Sequence, residues 1–297
     1  MTILVGYPTN RRAKAVLNLA GMLARSCGED LVVCTAIRDP RVPGMVREDP
    51  AFRSYVDELA DKALAYARED IPTDVSVRFT RIDAHSIPSG LIEAAEAHNA
   101  GMIAVGSAMG RIEHITVSSI ADRLLHSSPI PVAVATRGFR ALGGAVRRVT
   151  LAFSGDEHSA VHVAAAEELA RRFGAQLRLA SFAVHLSPPE ALRVHLDGAS
   201  VFEEWAKHIR TAVTQAVQAD AATAQRDPEI VIGQGDDWED ALDDIDWQPG
   251  DILVLGSSHA GPFSRVFLGS RAAKLIRHTP VPVIALPRAA ASELAEQ

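Results

Sequence analysis

Short apolar runs of strand length alternate along the chain with longer stretches in which apolar residues recur at helical spacing. Residues 252–255 are continuously apolar, as expected of a strand that is covered on both faces. In contrast, Val161, Ala165 and Leu169 recur at the spacing of one helix face. Such alternation of strands and helices predicts an α/β fold with a parallel sheet and right-handed crossovers.

The same pattern recurs in the two halves of the sequence. In the first half it predicts strands at 2–7, 31–37, 75–80, 102–105 and 131–135, and helices at 11–27, 50–69, 86–98 and 117–127. In the second half it predicts strands at 148–153, 177–183, 229–232, 252–255 and 281–286, with helices between them.

Direct sequence similarity between the halves indicates an internal repeat. Pro129 and Pro131 match Pro280 and Pro282 at an offset of 151 residues, and residues 3–7 match 149–153 at an offset of 146. We therefore predict two copies of one fold, domain 1 at 1–137 and domain 2 at 148–288, joined by a glycine-containing linker at 138–147. Each domain is expected to be a doubly wound, parallel, five-stranded sheet.

Length and charge agree with this division and exclude several classes of protein. The chain has 297 residues, 47% of them hydrophobic, which suits two domains of about 150 residues. The first half carries 17 basic and 16 acidic residues and the second 13 and 21, giving charges of +1 and −8. Neither half has the basic surface of a nucleic-acid-binding protein, so no nucleic-acid partner is expected.

Cellular location is predicted from two further features. No apolar run approaches the length of about 18 residues that spans a bilayer, and residues 1–10 lack the basic start of an export signal. Cys27 and Cys34 lack the paired spacing of a zinc or redox site and are expected to act as small buried hydrophobic residues. We expect a cytoplasmic protein with no membrane contact.

The loop after the predicted strand at 252–255 is the main candidate for a binding site. Gly256 allows a tight turn after the strand, and Gly269 and Ser270 precede a helix. Unpaired amides at a helix start favour phosphate. The alternative is that these residues are only a turn glycine and a helix-capping serine.

Other candidates are better explained by structural roles. His158 and His162 could share a metal on one helix face, or serve as capping or solvent-facing residues. Trp205, Trp238 and Trp247 could stack on a base or be buried. The seven carboxylates within residues 236–246 could hold a divalent cation, but a solvated helix with favourable acids at its start explains them better. We predict no metal site and no catalytic group.

With its loop from Gly256 to Ser270, the sequence resembles the universal stress protein family in its tandem two-domain form, from residue 2 to residue 287. The family motif is a glycine, two residues, a glycine, nine residues, and a glycine followed by Ser or Thr. Gly256, Gly269 and Ser270 match its spacing. The resemblance implies a Rossmann-like, adenine nucleotide α-hydrolase-like fold. It also implies an ATP site formed by Ser154, Gly256, Ser257, His259, Gly269 and Ser270.

The sequence departs from the nucleotide-binding members of that family at several points. Ser154 and Pro8 stand where those members have an Asp, and His259 replaces the middle glycine. In the first half, Met109 replaces that glycine and Ser118 lies one residue closer to the first glycine. We therefore expect the first domain to be a scaffold with a degenerate loop, and ATP binding to be weak or absent and confined to the second domain.

The resulting expectation is a non-catalytic regulatory protein of the stress response, acting on protein partners that the sequence does not identify. Two alternatives remain: a slow ATPase, and a pure protein-interaction scaffold with both pockets closed.

The strands at 131–135 and 282–286 are expected to join the two domains. Each is apolar, and an unpaired apolar edge strand promotes pairing. Members of the family commonly pair through their last strands, so we predict intrachain pairing here and regard a homodimer as a further possibility.

Overall fold

The computed structural model describes residues 2–38, 50–107, 118–141, 144–156, 159–184, 198–256 and 270–295. The first half contains β1 (Thr2–Gly6), α1 (Lys14–Cys27), β2 (Asp30–Arg38), α2 (Pro50–Asp70), β3 (Val77–Ala84), α3 (Ile87–Ala97), β4 (Ala100–Gly106), α4 (Ser119–Ser127) and β5 (Val132–Ala135). The second contains β6 (Arg148–Ala152), α5 (Ser159–Phe173), β7 (Gln176–Val184), α6 (Gly198–Gln218), α7 (Ala221–Arg226), β8 (Glu229–Gly235), α8 (Trp238–Asp243), β9 (Asp251–Gly256), α9 (Ser270–His278), β10 (Val283–Leu286) and α10 (Arg288–Ala295).

All ten strands form one sheet in the order β3-β2-β1-β4-β5-β10-β9-β6-β7-β8. Within each half every strand pair is parallel, and the two halves have the same strand order. The predicted α/β fold with two doubly wound, parallel halves is confirmed. The structure adds that the two five-stranded sheets are continuous with each other.

The join between the halves is the antiparallel pairing of β5 with β10, which we call the seam. Val283 lies opposite Val134, Ile284 opposite Ala133, and Ala285 opposite Val132. All residues of both strands are buried. The predicted pairing of the last strands within one chain is therefore confirmed.

The hydrophobic core consists of two layers, one on each face of the sheet, and both cross the seam. One layer includes Ala133 and Ile284 and packs against helices such as α1, α5 and α10. The other includes Val134 and Val283 and packs against α3, α4 and α9. The two halves thus share core packing on both faces.

Local signals fix the ends of several helices. Gly28 ends α1 in the left-handed conformation with a φ of 68°, and its N–H bonds to the carbonyl of Ala24 at 2.8 Å. Asp237 caps α8 by accepting hydrogen bonds from the N–H groups of Glu239 and Asp240. The acidic segment therefore begins a capped helix with acids in its first turn, as the sequence predicted.

Of the two cysteines, Cys34 is buried as predicted, whereas Cys27 is less buried than predicted and its thiol donates to the carbonyl of Leu23. Cys34 is buried and Cys27 is half-buried, and neither forms a disulfide. Burial raises the pKa of Cys27 to about 11 and that of Cys34 to about 12, so both thiols stay protonated at neutral pH. In the part of the chain that the structure describes, no helix combines the length and apolarity needed to cross a bilayer.

A buried charge network distinguishes the second half from the first. Arg178 in β7 is 1% exposed, and its guanidinium lies 3.6 Å from the carboxylate of Asp251 in β9. Arg148 contacts the same carboxylate at 2.6 Å. Arg178 also donates to Thr150 Oγ1 at 3.0 Å and stacks on Trp247 at 4.8 Å from the ring centroid.

Burial, and then the neighbouring charge of Arg148, lower the pKa of Arg178. The corresponding positions of the first half hold Leu4 for Thr150 and Val32 for Arg178, both fully buried. The same strand pair is therefore stabilised by apolar packing in one half and by a shared carboxylate in the other.

We predict that Asp251→Ala lowers the free energy of unfolding by about 3–5 kcal/mol, because it removes the carboxylate from the buried guanidinium of Arg178 and from the half-buried one of Arg148. Chemical denaturation of the full chain measures the change. Asp236→Ala is the control, since Asp236 is exposed, and it should change stability by less than about 0.5 kcal/mol. Equal losses in the two variants would contradict the role assigned to the network.

Candidate functional site

A cavity of about 420 Å³, here called the second-half cavity, lies at the carboxyl ends of β6 and β9. These strands are neighbours in the sheet. The chain continues from β6 to β7 in one direction along the strand order and from β9 to β10 in the other, so the strand order reverses at this point. In parallel sheets, ligands bind in the crevice at such a point.

A larger groove of about 720 Å³ lies at the other ends of the same strands in the second half. It is lined by the linker from Phe139 and by residues that precede β6, β9 and β10, including Arg147, Gly250 and Pro282. This groove is therefore at the amino ends of parallel strands. We place the candidate site in the smaller cavity because its position matches the general rule for open parallel sheets.

The loop after β6 supplies a carboxylate to the second-half cavity. Asp156 lines the cavity, and its carboxylate accepts hydrogen bonds from Ser154 Oγ at 2.6 Å and Ser159 Oγ at 3.2 Å. Ser154 indeed lacks the acidic group expected from the family motif, but Asp156 provides one two residues later. The sequence analysis missed it because it considered only the position directly after the strand.

The strand that leads to this loop is held by a contact repeated in both halves. Ser181 Oγ donates to the carbonyl of Phe153 at 2.9 Å, and Thr35 Oγ1 donates to the carbonyl of Tyr7 at 3.3 Å. Ser181 and Phe153 also line the second-half cavity. The hydroxyl from β7 therefore anchors the backbone at the point where the binding loop begins.

Gly256 contributes space rather than an unusual turn. Its φ is not positive, and it is the last residue of β9. A Cβ at this position would lie 2.5 Å from His162 Nε2 and 2.6 Å from His162 Cε1, so the imidazole packs directly against the glycine. The turn expected after Gly256 lies outside the described residues, and the structure adds a second reason for the glycine: its missing side chain makes room for His162, which also lines the cavity.

Aromatic rings form much of the remaining wall. Phe182, Trp205 and Trp238 line the cavity and are half-buried. Lys274 Nζ lies 5.6 Å from the centroid of the Trp238 ring. Trp247, by contrast, lies under Arg178 and donates from Nε1 to the carbonyl of Leu242 at 2.8 Å. Two of the three tryptophans are thus placed where they could stack on a base.

The start of α9 closes one side of the same cavity. Ser270, Arg271 and Ala272 line it. Ser154, Gly256 and Ser270, which the sequence analysis selected from distant positions, are therefore brought together. The other selected residues, Ser257, His259 and Gly269, lie outside the described residues, as does His158.

Within the described ranges, no group of three or more His, Cys, Asp or Glu side chains is arranged to hold a metal ion.

An equivalent first-half cavity of about 450 Å³ lies at the carboxyl ends of β1 and β4. Its lining includes Tyr7, Pro8, Arg11, Gly106 and Ser118. The side chain at the position of His162 is Val16, whose Cβ lies 3.9 Å from a Cβ added at Gly106. The first half therefore has a cavity of similar size at the equivalent strand ends, with a different set of lining side chains.

Comparison with known proteins agrees with this arrangement. The Universal stress protein family matches the chain twice, at residues 1–136 and 145–287. Curated universal stress proteins of Mycobacterium tuberculosis and Mycobacterium bovis are 35% identical over 296 residues, covering 97% of this chain and all of each relative.

A solved structure of similar length shows the same fold. A universal stress protein of Archaeoglobus fulgidus superposes with a TM-score of 0.64 at 19% identity, covering 97% of this chain and 98% of that protein. Another universal stress protein, solved in complex with cAMP, is 18% identical over 46% of this chain, with a TM-score of 0.31.

We predict that Gly256→Ala destabilises the protein by about 1 kcal/mol, because its Cβ would overlap the imidazole of His162 and the half-buried ring must shift to make room. Thermal and chemical unfolding measure the loss. Combining Gly256→Ala with His162→Ala should recover most of it, since the second change removes the overlapping ring.

Gly106→Ala is the matched control for this substitution. Among the described residues, its Cβ would meet Arg11 Nη2 at 3.8 Å and Val16 Cβ at 3.9 Å, which are ordinary contact distances. If Gly106→Ala is as destabilising as Gly256→Ala, the space for His162 is not the reason for the glycine.

Proposed function

The chain belongs to the universal stress protein family, and from this premise we propose that it is a non-catalytic, cytoplasmic regulator of the stress response whose second domain binds an adenine nucleotide weakly. The domain limits proposed with it are 1–137 and 148–288, joined by the linker 138–147. Such a regulator would act through protein partners that recognise its nucleotide-bound or empty form.

The observation that carries the proposal is the composition of the second-half cavity. Trp205 and Trp238 offer flat apolar faces, and stacking of a base on an aromatic ring stabilises binding by about 1–3 kcal/mol. Asp156 offers an acceptor for ribose hydroxyl groups. Arg271 and the first turn of α9 offer positive charge for phosphate.

Weak binding follows from the way the polar groups of this cavity are already engaged. The hydroxyl of Ser154 donates to Asp156, so a ligand must share that carboxylate with Ser154 and Ser159. Ser154, two residues after β6, is a neutral residue where nucleotide-binding members have an Asp, and a neutral hydrogen bond contributes only about 0.5–1.5 kcal/mol.

The same geometry argues for a binding role rather than a hydrolytic one. The carboxylate of Asp156 is oriented by two hydroxyl donors from its own loop, at 2.6 and 3.2 Å. Phosphoryl transfer requires a group that positions the attacking water, usually with carboxylates that support a metal ion. These two contacts support a role for Asp156 as a hydrogen-bond acceptor for a bound ligand.

We predict that the full chain binds ATP and ADP weakly and that Trp205→Leu reduces this affinity about tenfold, because a stacking surface is lost. Isothermal titration calorimetry with and without Mg²⁺ measures the change. Phe202→Leu is the control: Phe202 lies on the same helix, 5.7 Å from the Trp205 ring, but does not line the cavity. The affinity of Phe202→Leu for ATP should stay within about twofold of that of the unsubstituted chain.

Two outcomes would contradict the proposal. Steady phosphate release that Asp156→Asn abolishes would identify an ATPase. Failure of adenosine, ADP and ATP to bind at millimolar concentrations would instead leave an interaction scaffold without a nucleotide.

A further inference from the structure

The first-half cavity is lined mainly by apolar groups. Its walls include Tyr7, Ile87, Leu91, Val105 and Ile120. Its volume of about 450 Å³ lies within the range of small-molecule binding sites, about 300–1,000 Å³. Among the described residues that line it, Arg11 is the one with a charged side chain.

Arg11 is held in position by a backbone carbonyl. Its Nη2 donates to the carbonyl of Ser107, directly after β4, at 2.6 Å, and the residue is half-buried. No carboxylate in the described ranges forms an ion pair with it. Its neighbour Arg12 instead pairs with Glu69 and Asp70 on α2.

A guanidinium beside an apolar wall favours an anionic partner. It is planar and always charged, and its remaining donors match the two oxygens of a carboxylate. The adjacent start of α4 adds to this preference, because Ser118 caps the helix and lines the cavity. Asp122 in the first turn of α4 does not line the cavity.

The corresponding loop of the second half has the opposite charge. Asp156 occupies the position of Asn10, and Glu157 follows in the sequence where the first half has Arg11. Pro8 stands in place of Ser154 and offers no side-chain hydrogen bond. The two cavities therefore share a location in the fold but differ in the charge that they present to a ligand.

We propose that the first-half cavity binds a small organic monoanion, with an apolar body against the cavity wall and one carboxylate paired with Arg11. This site is separate from the nucleotide site proposed for the second half and does not depend on it.

The test uses two probes with the same apolar body, 4-phenylbutyrate and the uncharged 4-phenylbutanol. Isothermal titration calorimetry on the full chain at neutral pH should show about tenfold tighter binding of the acid, because only the acid can pair with the guanidinium. Arg11→Met should remove this difference by weakening the acid about tenfold while leaving the alcohol almost unchanged.

Arg12→Met is the matched control, because it removes the same charge one residue further along, where the side chain faces Glu69. It should leave the affinity for the acid within about twofold. Far-UV circular dichroism verifies that each variant is folded. If Arg11→Met does not fold, the comparison of acid and alcohol on the original chain still decides the result.

Equal affinity for the acid and the alcohol would overturn the proposal, as would undetectable binding of the acid at millimolar concentrations. Full affinity for the acid in folded Arg11→Met would also overturn it. Displacement of the acid by ATP would show that the first-half cavity is a nucleotide site instead. Failure of ATP to bind anywhere would leave this proposal intact and would contradict only the proposed function of the second half.

Discussion

The antiparallel pairing of β5 with β10 is the interaction on which the rest of the structure depends. Both strands are buried over their full length, so separation would expose an apolar edge on each half. Pairing these edges joins two parallel sheets into one and lets both core layers continue from one half into the other. Helix α10, which packs on α5, adds to this shared layer.

The direction of the pairing also determines where ligands can bind. Strands within each half are parallel, and β5 and β10 are antiparallel. The strands of the two halves therefore run in opposite directions, and their carboxyl ends lie at opposite ends of the strands of the sheet. The first-half and second-half cavities lie at these opposite strand ends, so occupation of one leaves the other accessible.

Sequence patterns predicted the fold well because apolar periodicity and the repeat both follow from burial on a parallel sheet. The strands at 2–7 and 148–153 and the seam were predicted for this reason and confirmed. The contacts of His162 and Arg178 were not predicted, since each depends on residues distant in sequence. Asp156 was missed although its partners Ser154 and Ser159 are near in sequence, because it lies two residues beyond the position where the family motif has its Asp. A partial signal existed for Arg178, a charged residue inside an otherwise apolar strand of the second half.

Divergence between the halves explains how one fold can carry two chemistries. His162 stands where the first half has Val16, and Arg178 stands where it has Val32. These differences change the polarity of the two positions without changing the strand order, because the apolar strands of both halves are retained. The central claim of this account is that the two halves bind different ligands at separate cavities.

Hydrogen–deuterium exchange of the full chain, measured alone, with ATP and with 4-phenylbutyrate, tests that claim most directly. ATP should slow exchange in the segments around Asp156, Trp205 and Ser270, and the acid should slow it around Arg11 and Ser118. Protection of the same segments by both ligands, or of the first half by ATP, would contradict the account.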